Sequence, residues 1–114
     1  MARPQKYRCI CSIPKALTFS PEGHKPNGFV TIGFDEYEVI RLLDYEKKSQ
    51  EICAKRMNIS RSTVARIYES AREKIADAFI SGKQIQIGGG DVIVCTEMKP
   101  ECVNEPHCCH KIKE

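Results

Sequence analysis

The sequence lacks any run of apolar residues long enough to cross a membrane, which takes about 20 residues. Its N-terminus is basic but lacks the apolar core of a secretion signal, so we expect a cytoplasmic protein without a membrane partner. No Ser/His/Asp or Cys/His arrangement has independent support, and the glycines at 88–90 are followed neither by Lys-Ser/Thr nor by a helix start. We therefore expect neither an enzyme nor a phosphate-binding loop. With 114 residues, the chain is short enough for one domain.

Charge is unevenly distributed along the chain, although the formal net charge is only +3. Residues 1–30 carry a net charge of +4, residues 31–81 are neutral, and residues 82–114 carry −1. Between residues 47 and 68 the only acid is Glu51, and the basic residues are Lys47, Lys48, Lys55, Arg56, Arg61 and Arg66. Five acids precede this stretch, namely Asp35, Glu36, Glu38, Asp44 and Glu46. We expect them to cap a helix or to be solvated. This separation favours a nucleic-acid-binding surface, with a solvated charge pattern as the alternative.

Residues 49–68 have the pattern of a helix-turn-helix. Ser49 and Ser60 are candidate N-caps, and Asn58 falls at the turn, where the left-handed backbone conformation is needed. The predicted inner positions of the two helices are Ile52, Cys53, Ala54, Met57, Ile59, Val64, Ile67 and Tyr68. The same stripe continues in the second helix through Ala71, Ile75, Ala78 and Phe79, and Gly82 is the predicted C-terminal cap.

Such a motif positions a second helix whose N-terminal residues enter the major groove of DNA. The residues predicted to read bases are Arg61, Ser62, Thr63, Ala65 and Arg66. Arginine pairs with guanine, serine and threonine contact bases or phosphates, and alanine can touch a thymine methyl group. The residues predicted to bind phosphates are Arg3, Arg8, Lys48, Lys55 and Ser60. The alternative is a helical hairpin with a solvated basic face.

The remaining elements are shorter or less regular. A helix is predicted over residues 35–46, with Asp35 as its N-cap and Glu38 completing a capping box. The other predicted elements are a strand over residues 7–13, a loop over 14–28, an extended run at 29–32 and a β-hairpin over 83–95. The hairpin is interpreted as a wing beside the reading helix, a dimer contact or a structural flap. The predicted fold is mainly α, a three-helix helix-turn-helix domain with a small β-hairpin and an irregular Cys-rich tail.

The chain accordingly divides into four parts. They are a basic N-terminal arm and loop (1–30), a helix-turn-helix DNA-binding domain (31–82), the β-hairpin (83–95) and a Cys/His-rich tail (96–114). The basic arm could follow a phosphate backbone or enter a minor groove, and a disordered terminus is the alternative.

Seven cysteines are many for a chain of this length. Without a secretion signal, metal binding or redox chemistry is favoured over a disulfide framework. The candidate metal ligands are Cys95, Cys102, Cys108 and Cys109, joined by Cys9, Cys11, His107 and His110 if the N-terminal strand lies near the hairpin. Zinc or an iron–sulfur cluster would suit these ligands, but the spacings fit no standard zinc ribbon. Redox-active thiols and a disordered reduced tail therefore remain alternatives, whereas Cys53 is predicted to be a core residue.

The sequence resembles a family of small, uncharacterised prokaryotic proteins whose central domain is similar to sigma-70 region 4. The resemblance covers about residues 2–90, and it rests on Arg3-Pro4 with the Cys pair, Asp35–Glu38, Ile40–Asp44, Ser49–Glu51, Ser60–Thr63, Glu69–Ala78 and the glycines after Ile87. It implies a sigma-region-4-like DNA-binding domain with a role in transcription. Asn58 stands where the family pattern usually has glycine, and no metal carries over because the Cys/His tail varies.

We therefore expect a sequence-specific, double-stranded DNA-binding protein that regulates transcription. One alternative is a protein-interaction module that contacts RNA polymerase or another regulator. Another is a metal- or redox-sensing switch in which the tail controls the DNA-binding domain. A homodimer on a two-fold DNA site would be compatible with this expectation, but no residue pattern fixes an interface, an operator or an effector.

Overall fold

The computed structural model describes residues 8–10, 14–89 and 92–94. The described part is mainly helical, with α1 at Phe34–Ile40, α2 at Gln50–Met57 and α3 at Arg61–Ser81. A π-helical turn, Arg41–Tyr45, continues α1. The strands are β1 at Arg8–Ile10, β2 at Thr18–Phe19, β3 at Phe29–Ile32, β4 at Gln84–Ile87 and β5 at Val92–Val94. None of the described helices is both long enough and apolar enough to cross a membrane.

Three predicted caps and the predicted turn residue fix the ends of α2 and α3. The Ser49 hydroxyl accepts a backbone N–H bond from the first turn of α2 at 3.1 Å, and Ser60 does the same for α3 at 3.2 Å. Asn58 ends α2 in the left-handed conformation, with φ of 60° and ψ of 45°. Gly82 ends α3 in the same way, with φ of 67°. The three caps and the left-handed turn residue are therefore confirmed.

The beginning of α1 differs from the prediction. Gly33, not Asp35, is the N-cap, and the Glu36 carboxylate accepts the Gly33 N–H bond at 2.8 Å. The acid three residues after the cap is therefore Glu36, and Glu38 pairs with Arg41 instead of completing a capping box. The predicted helix over 35–46 is present, but its second half is the π-helical turn.

The hydrophobic core draws on all three helices and on β1. Its buried members are Ile10, Val39, Leu42, Cys53, Ala54, Met57, Val64 and Ile67. The prediction that Cys53 is a core residue is confirmed, and burial raises the pKa of its thiol to about 12. Two predicted core residues are wrong, because Ile52 is 43% exposed and Phe79 is 75% exposed. Phe79 is fifteen residues after Val64, which rotates it by about 60° out of the buried stripe.

The strands do not form the predicted hairpin over 83–95. β4 lies between β2, which is antiparallel to it, and β3, which is parallel. β5 pairs with β1 in a separate parallel ladder. Both edges of β4 are occupied by β2 and β3, so β5 cannot pair with it. β2 also lies inside the segment predicted to be an irregular loop, whereas the extended run at β3 is confirmed.

The C-terminal end of α3 is held by the loop before β3. The Asn27 backbone N–H donates to the Gly82 carbonyl at 3.0 Å, and its side-chain amide donates to the Ser81 carbonyl at 3.0 Å. A β-carbon at position 82 would lie 2.7 Å from the His24 ring. The left-handed backbone at position 82 therefore favours glycine, and any larger residue would also displace the His24 ring.

Candidate nucleic-acid interface

The first turns of α3 have one buried side and one exposed side. Val64 is fully buried and Ile67 is 7% exposed, because this side packs against α1 and α2. The predicted base-reading residues Arg61, Ser62, Ala65 and Arg66 are all exposed, and Thr63 is half-buried. The structure therefore places four of the five predicted base-reading side chains on a single accessible surface.

Arg61 and Arg66 form no ion pair within the described part of the chain. Their guanidinium groups keep their donors for an external acceptor. An arginine fork matches two acceptors on a guanine edge or the oxygens of a phosphate.

Three hydroxyl groups cluster beside these arginines at the start of α3. The Ser60 Oγ lies 2.7 Å from the Thr63 Oγ1 and 3.1 Å from the Ser62 Oγ. A hydroxyl both donates and accepts, so Ser60 and Ser62, which are exposed, can turn a donor outward. The first backbone N–H groups of a helix also favour a negative charge at this end.

The predicted phosphate-binding residues are less uniform. Lys55 is exposed on α2, where its Nζ lies 4.0 Å from the Glu51 carboxylate. Such an exposed pair is weak, so Lys55 remains available to a phosphate. Lys48 is half-buried and already engaged within the chain. Arg8 lies in β1, with its side chain outside what is described, and Arg3 lies outside the described residues.

Arg56 does not belong to the exposed basic surface that the charge pattern suggested. It is only 6% exposed, and its positive charge acts on the Cys53 thiol in the interior. Helical position explains the difference, because Arg56 is three residues after the buried Cys53 and within about 60° of it, whereas Lys55 lies on the opposite side of α2.

Two acids of α1, Glu36 and Glu38, are also buried, which corrects the expectation that they are solvated or act as caps alone. Glu36 accepts from the Lys74 Nζ at 2.8 Å and from the Ser70 Oγ at 2.8 Å, in addition to the Gly33 N–H. Burial raises the pKa of Glu36, but hydrogen bonds from Lys74, Gly33 and Ser70 outweigh it and leave the pKa below its usual value. Since Ser70 and Lys74 belong to α3, this cluster fixes α3 against α1.

A second acidic cluster stabilises the π-helical turn. The Arg41 Nε donates to Glu38 at 2.8 Å, and the Arg41 Nη1 donates to the Glu46 carboxylate. Glu38 is 1% exposed. The carboxylates of Glu36 and Glu38 are therefore not exposed to a protein partner.

Tyr68, predicted as an inner residue of α3, is half-buried and contacts Arg72, a residue without a predicted role. The Arg72 Cζ lies 5.1 Å from the Tyr68 ring centroid, and its Nη1 donates to the Tyr68 hydroxyl at 3.3 Å. That hydroxyl donates in turn to the Asp44 carboxylate at 2.8 Å. The spacing of four residues between an aromatic and an arginine was the available signal.

The predicted metal ligands lie almost entirely outside the described residues. They are Cys11, Cys95, Cys102, His107, Cys108, Cys109 and His110. Cys9 lies in β1, which pairs with β5, the strand that leads toward Cys95. The N-terminal strand and β5 are therefore neighbours, as shared ligands would require. Residues 8–10, 14–89 and 92–94 contain no group of three side chains able to hold a metal ion by themselves.

Comparisons with known proteins find relatives along most of the chain. A family model described as "Protein of unknown function DUF134" matches residues 1–95. A "UPF0251 protein" of Desulfitobacterium hafniense (strain Y51) is 42% identical over 106 residues, which cover 90% of this chain and 83% of the relative. Another, of Ruminiclostridium cellulolyticum, is 43% identical over 124 aligned residues and covers 97% of each chain. One from Methanothermobacter thermautotrophicus is 44% identical over 93 residues, covering 82% of this chain but 49% of its own. No solved structure matches.

Proposed function

We propose that this chain, which belongs to the DUF134 family, is a sequence-specific double-stranded DNA-binding protein that regulates transcription. In this proposal α2 and α3 form a helix-turn-helix of the sigma-70 region 4 kind, and the N-terminal turns of α3 enter the major groove. The observation that carries it is the exposed pair Arg61 and Arg66, which have no ion pair among the described residues and stand on a helix whose opposite side is buried.

Each side chain of this surface has a distinct role in the proposal. Arg61 and Arg66 pair with base edges, Ser62 contacts a base or a phosphate, and Ala65 makes an apolar contact with a thymine methyl group. Thr63 is half-buried and tied to the Ser60 hydroxyl, so its main role is to shape the start of the helix. Lys55 and Ser60 bind the phosphates that flank the groove.

The test begins with selection of bound duplexes from a random DNA pool by the full chain. The selected duplex is then compared with a scrambled duplex for the wild type, Arg61→Ala and Lys55→Ala. We expect Arg61→Ala to lose about 1–3 kcal/mol of discrimination between the two duplexes. Lys55→Ala should weaken binding to both duplexes alike and lower the slope of log affinity against log salt.

Glu73→Ala provides the matched control, because Glu73 is exposed on α3 far from its N-terminal turns. It should preserve the sequence preference. The assigned reading face is wrong if Arg61→Ala keeps the affinity and preference of the wild type. The DNA-binding proposal as a whole fails if the wild type retains no duplex even at low salt.

A protein-interaction module that contacts the transcription machinery is the second candidate. Its support is a pair of exposed apolar residues at the C-terminal end of α3, Phe79 at 75% and Ile80 at 87% exposure. Exposed large apolar side chains that lie together are typical of protein contact surfaces. Binding to purified RNA polymerase that is insensitive to salt and lost in Ile80→Ser, without retention of DNA, would favour this candidate.

A further inference from the structure

Arg72 occupies a restrained position on the exposed side of α3. Its guanidinium lies over the Tyr68 ring at 5.1 Å and donates one hydrogen bond, at 3.3 Å, to the Tyr68 hydroxyl. The Tyr68 hydroxyl is itself anchored to Asp44 in the π-helical turn at 2.8 Å. Arginine has five N–H donors, so this arrangement orients the group and leaves donors for an external acceptor.

Arg72 lies on nearly the same side of α3 as Arg61 but farther along the helix axis. Arg72 is eleven residues after Arg61, which brings it back to within about 20° of the same side of the helix and about 16 Å farther along the axis. Ala65 lies between them on the same side and is also exposed. The major groove is about 8.5 Å deep. If α3 enters the groove with its N-terminal end and Arg61 reaches the base edges, a groove of this depth cannot enclose Arg72, which then lies outside it on the side of the sugar-phosphate backbone.

The acidic residues of α3 lie away from the side of the helix that carries Arg61, Ala65 and Arg72, so an anion can approach that side. The nearest exposed acids on α3, Glu69 and Glu73, are rotated by about 60° and 100° from Arg72, toward the side that carries Arg66. The Asp44 carboxylate accepts the Tyr68 hydroxyl. The line through Arg61, Ala65 and Arg72 is thus free of acidic side chains on α3.

We propose that Arg72, held on the Tyr68 ring, is a preoriented binding site for a backbone phosphate at the rim of the same interface. This inference rests on the proposed function, because it places the phosphate relative to a base-reading Arg61. A phosphate contact fixes the register of the protein on the duplex without reading its sequence. Stacking on the ring reduces the conformational freedom that an unrestrained arginine would lose on binding.

The experiment measures duplex affinity against salt concentration for the wild type, Arg72→Ala and Arg72→Lys, with the selected and the scrambled duplex. Loss of one phosphate contact should lower the salt slope by about 0.9. A variant that equals the wild type in affinity at 1 M salt should then bind roughly eightfold more weakly than the wild type at 0.1 M salt. Arg72→Ala should show this loss equally on both duplexes. Arg72→Lys should keep the slope, because it keeps the charge, but bind more weakly than the wild type because it loses the planar stack.

Tyr68→Leu and Glu73→Ala complete the design. Tyr68→Leu keeps the charge of Arg72 but removes the ring, so it should lower affinity less than Arg72→Ala does. Glu73→Ala should not lower it. The inference is overturned if the wild type binds while Arg72→Ala keeps the full salt slope, or if Arg72→Ala changes the preference between the two duplexes. Failure of the wild type to bind any duplex overturns the proposed function as well, so the two failures are distinguishable.

Discussion

The two long sides of α3 use the same residue types for opposite purposes. On the inner side Ile67 is buried, and Lys74 donates to the carboxylate of Glu36 at 2.8 Å. On the outer side Arg61 and Arg66 are exposed and form no ion pair among the described residues. A basic residue on this helix is therefore either part of the fold or available to a ligand, depending on its direction.

This difference shows why a count of basic residues overestimates a binding surface. Arg56 and Lys74 contribute to the net charge of the helices, but one is buried and the other is paired with an acid of α1. Lys55 and Arg66 have the same formal charge and face solvent. The available positive charge is therefore a property of the folded surface and not of the residue count.

The largest expected effect comes from adjacent residues on opposite sides of α3. Ile67→Ala should reduce the free energy of unfolding by about 2–4 kcal/mol, because it removes buried methyl groups and leaves a cavity in the core. Arg66→Ala should change it by no more than about 0.5 kcal/mol, because Arg66 is exposed. Urea denaturation followed by circular dichroism measures both. Equal losses in the two variants would contradict the division of α3 into a buried structural side and an exposed side that does not stabilise the fold.

An intermediate effect is expected for the ion pair between α1 and α3. Glu36→Gln keeps the size of the side chain but loses the charge that Lys74 and Ser70 stabilise, so the free energy of unfolding should fall by about 1–3 kcal/mol at neutral pH. The matched control is Glu51→Gln, because Glu51 pairs with Lys55 and both side chains are 71% exposed. That substitution should cost less than about 0.5 kcal/mol.

The pH dependence of the same pair sharpens the comparison. The folded-state pKa of Glu36 is lowered, because the hydrogen bonds from Lys74, Gly33 and Ser70 outweigh the opposite effect of burial. Its contribution is therefore fully present above the usual pKa near 4.5 and is lost as the pH falls through the lower folded value. The stability difference between wild type and Glu36→Gln should shrink below about pH 4.5. A difference that grows in acid would show that Glu36 is not stabilised as a carboxylate.

The sequence predicts the features of this fold that depend on neighbouring residues. Ser49 and Ser60 were recognisable as caps because a cap acts within its own first turn, and Asn58 because few residues adopt the left-handed conformation easily. The exposed direction of Arg61 and Arg66 follows from their spacing relative to Val64. These local rules are sufficient to place the candidate interface.

Features that depend on distant parts of the chain were not predictable in this way. Glu36 and Lys74 are 38 positions apart, and nothing in either segment alone indicates that they meet. β4 and β5 looked like a hairpin because they are close in sequence, but their partners come from the N-terminal part of the chain. Phe79 was assigned to the core because a stripe of threes and fours rotates slowly around a helix of 21 residues.

The smallest expected effect concerns the turn that joins α2 and α3, the two helices of the proposed DNA-binding motif. Asn58 has φ of 60°, a conformation in which a β-carbon costs about 1–2 kcal/mol unless the side chain compensates by local hydrogen bonding. Asn58→Ala should therefore lower the free energy of unfolding by about 1 kcal/mol, whereas Asn58→Gly should stay within about 0.5 kcal/mol of the wild type. Thermal and urea unfolding of the two variants provide the measurement. If alanine is tolerated as well as glycine, the turn does not depend on the left-handed residue, and the angle between α2 and α3 must be set by core packing alone.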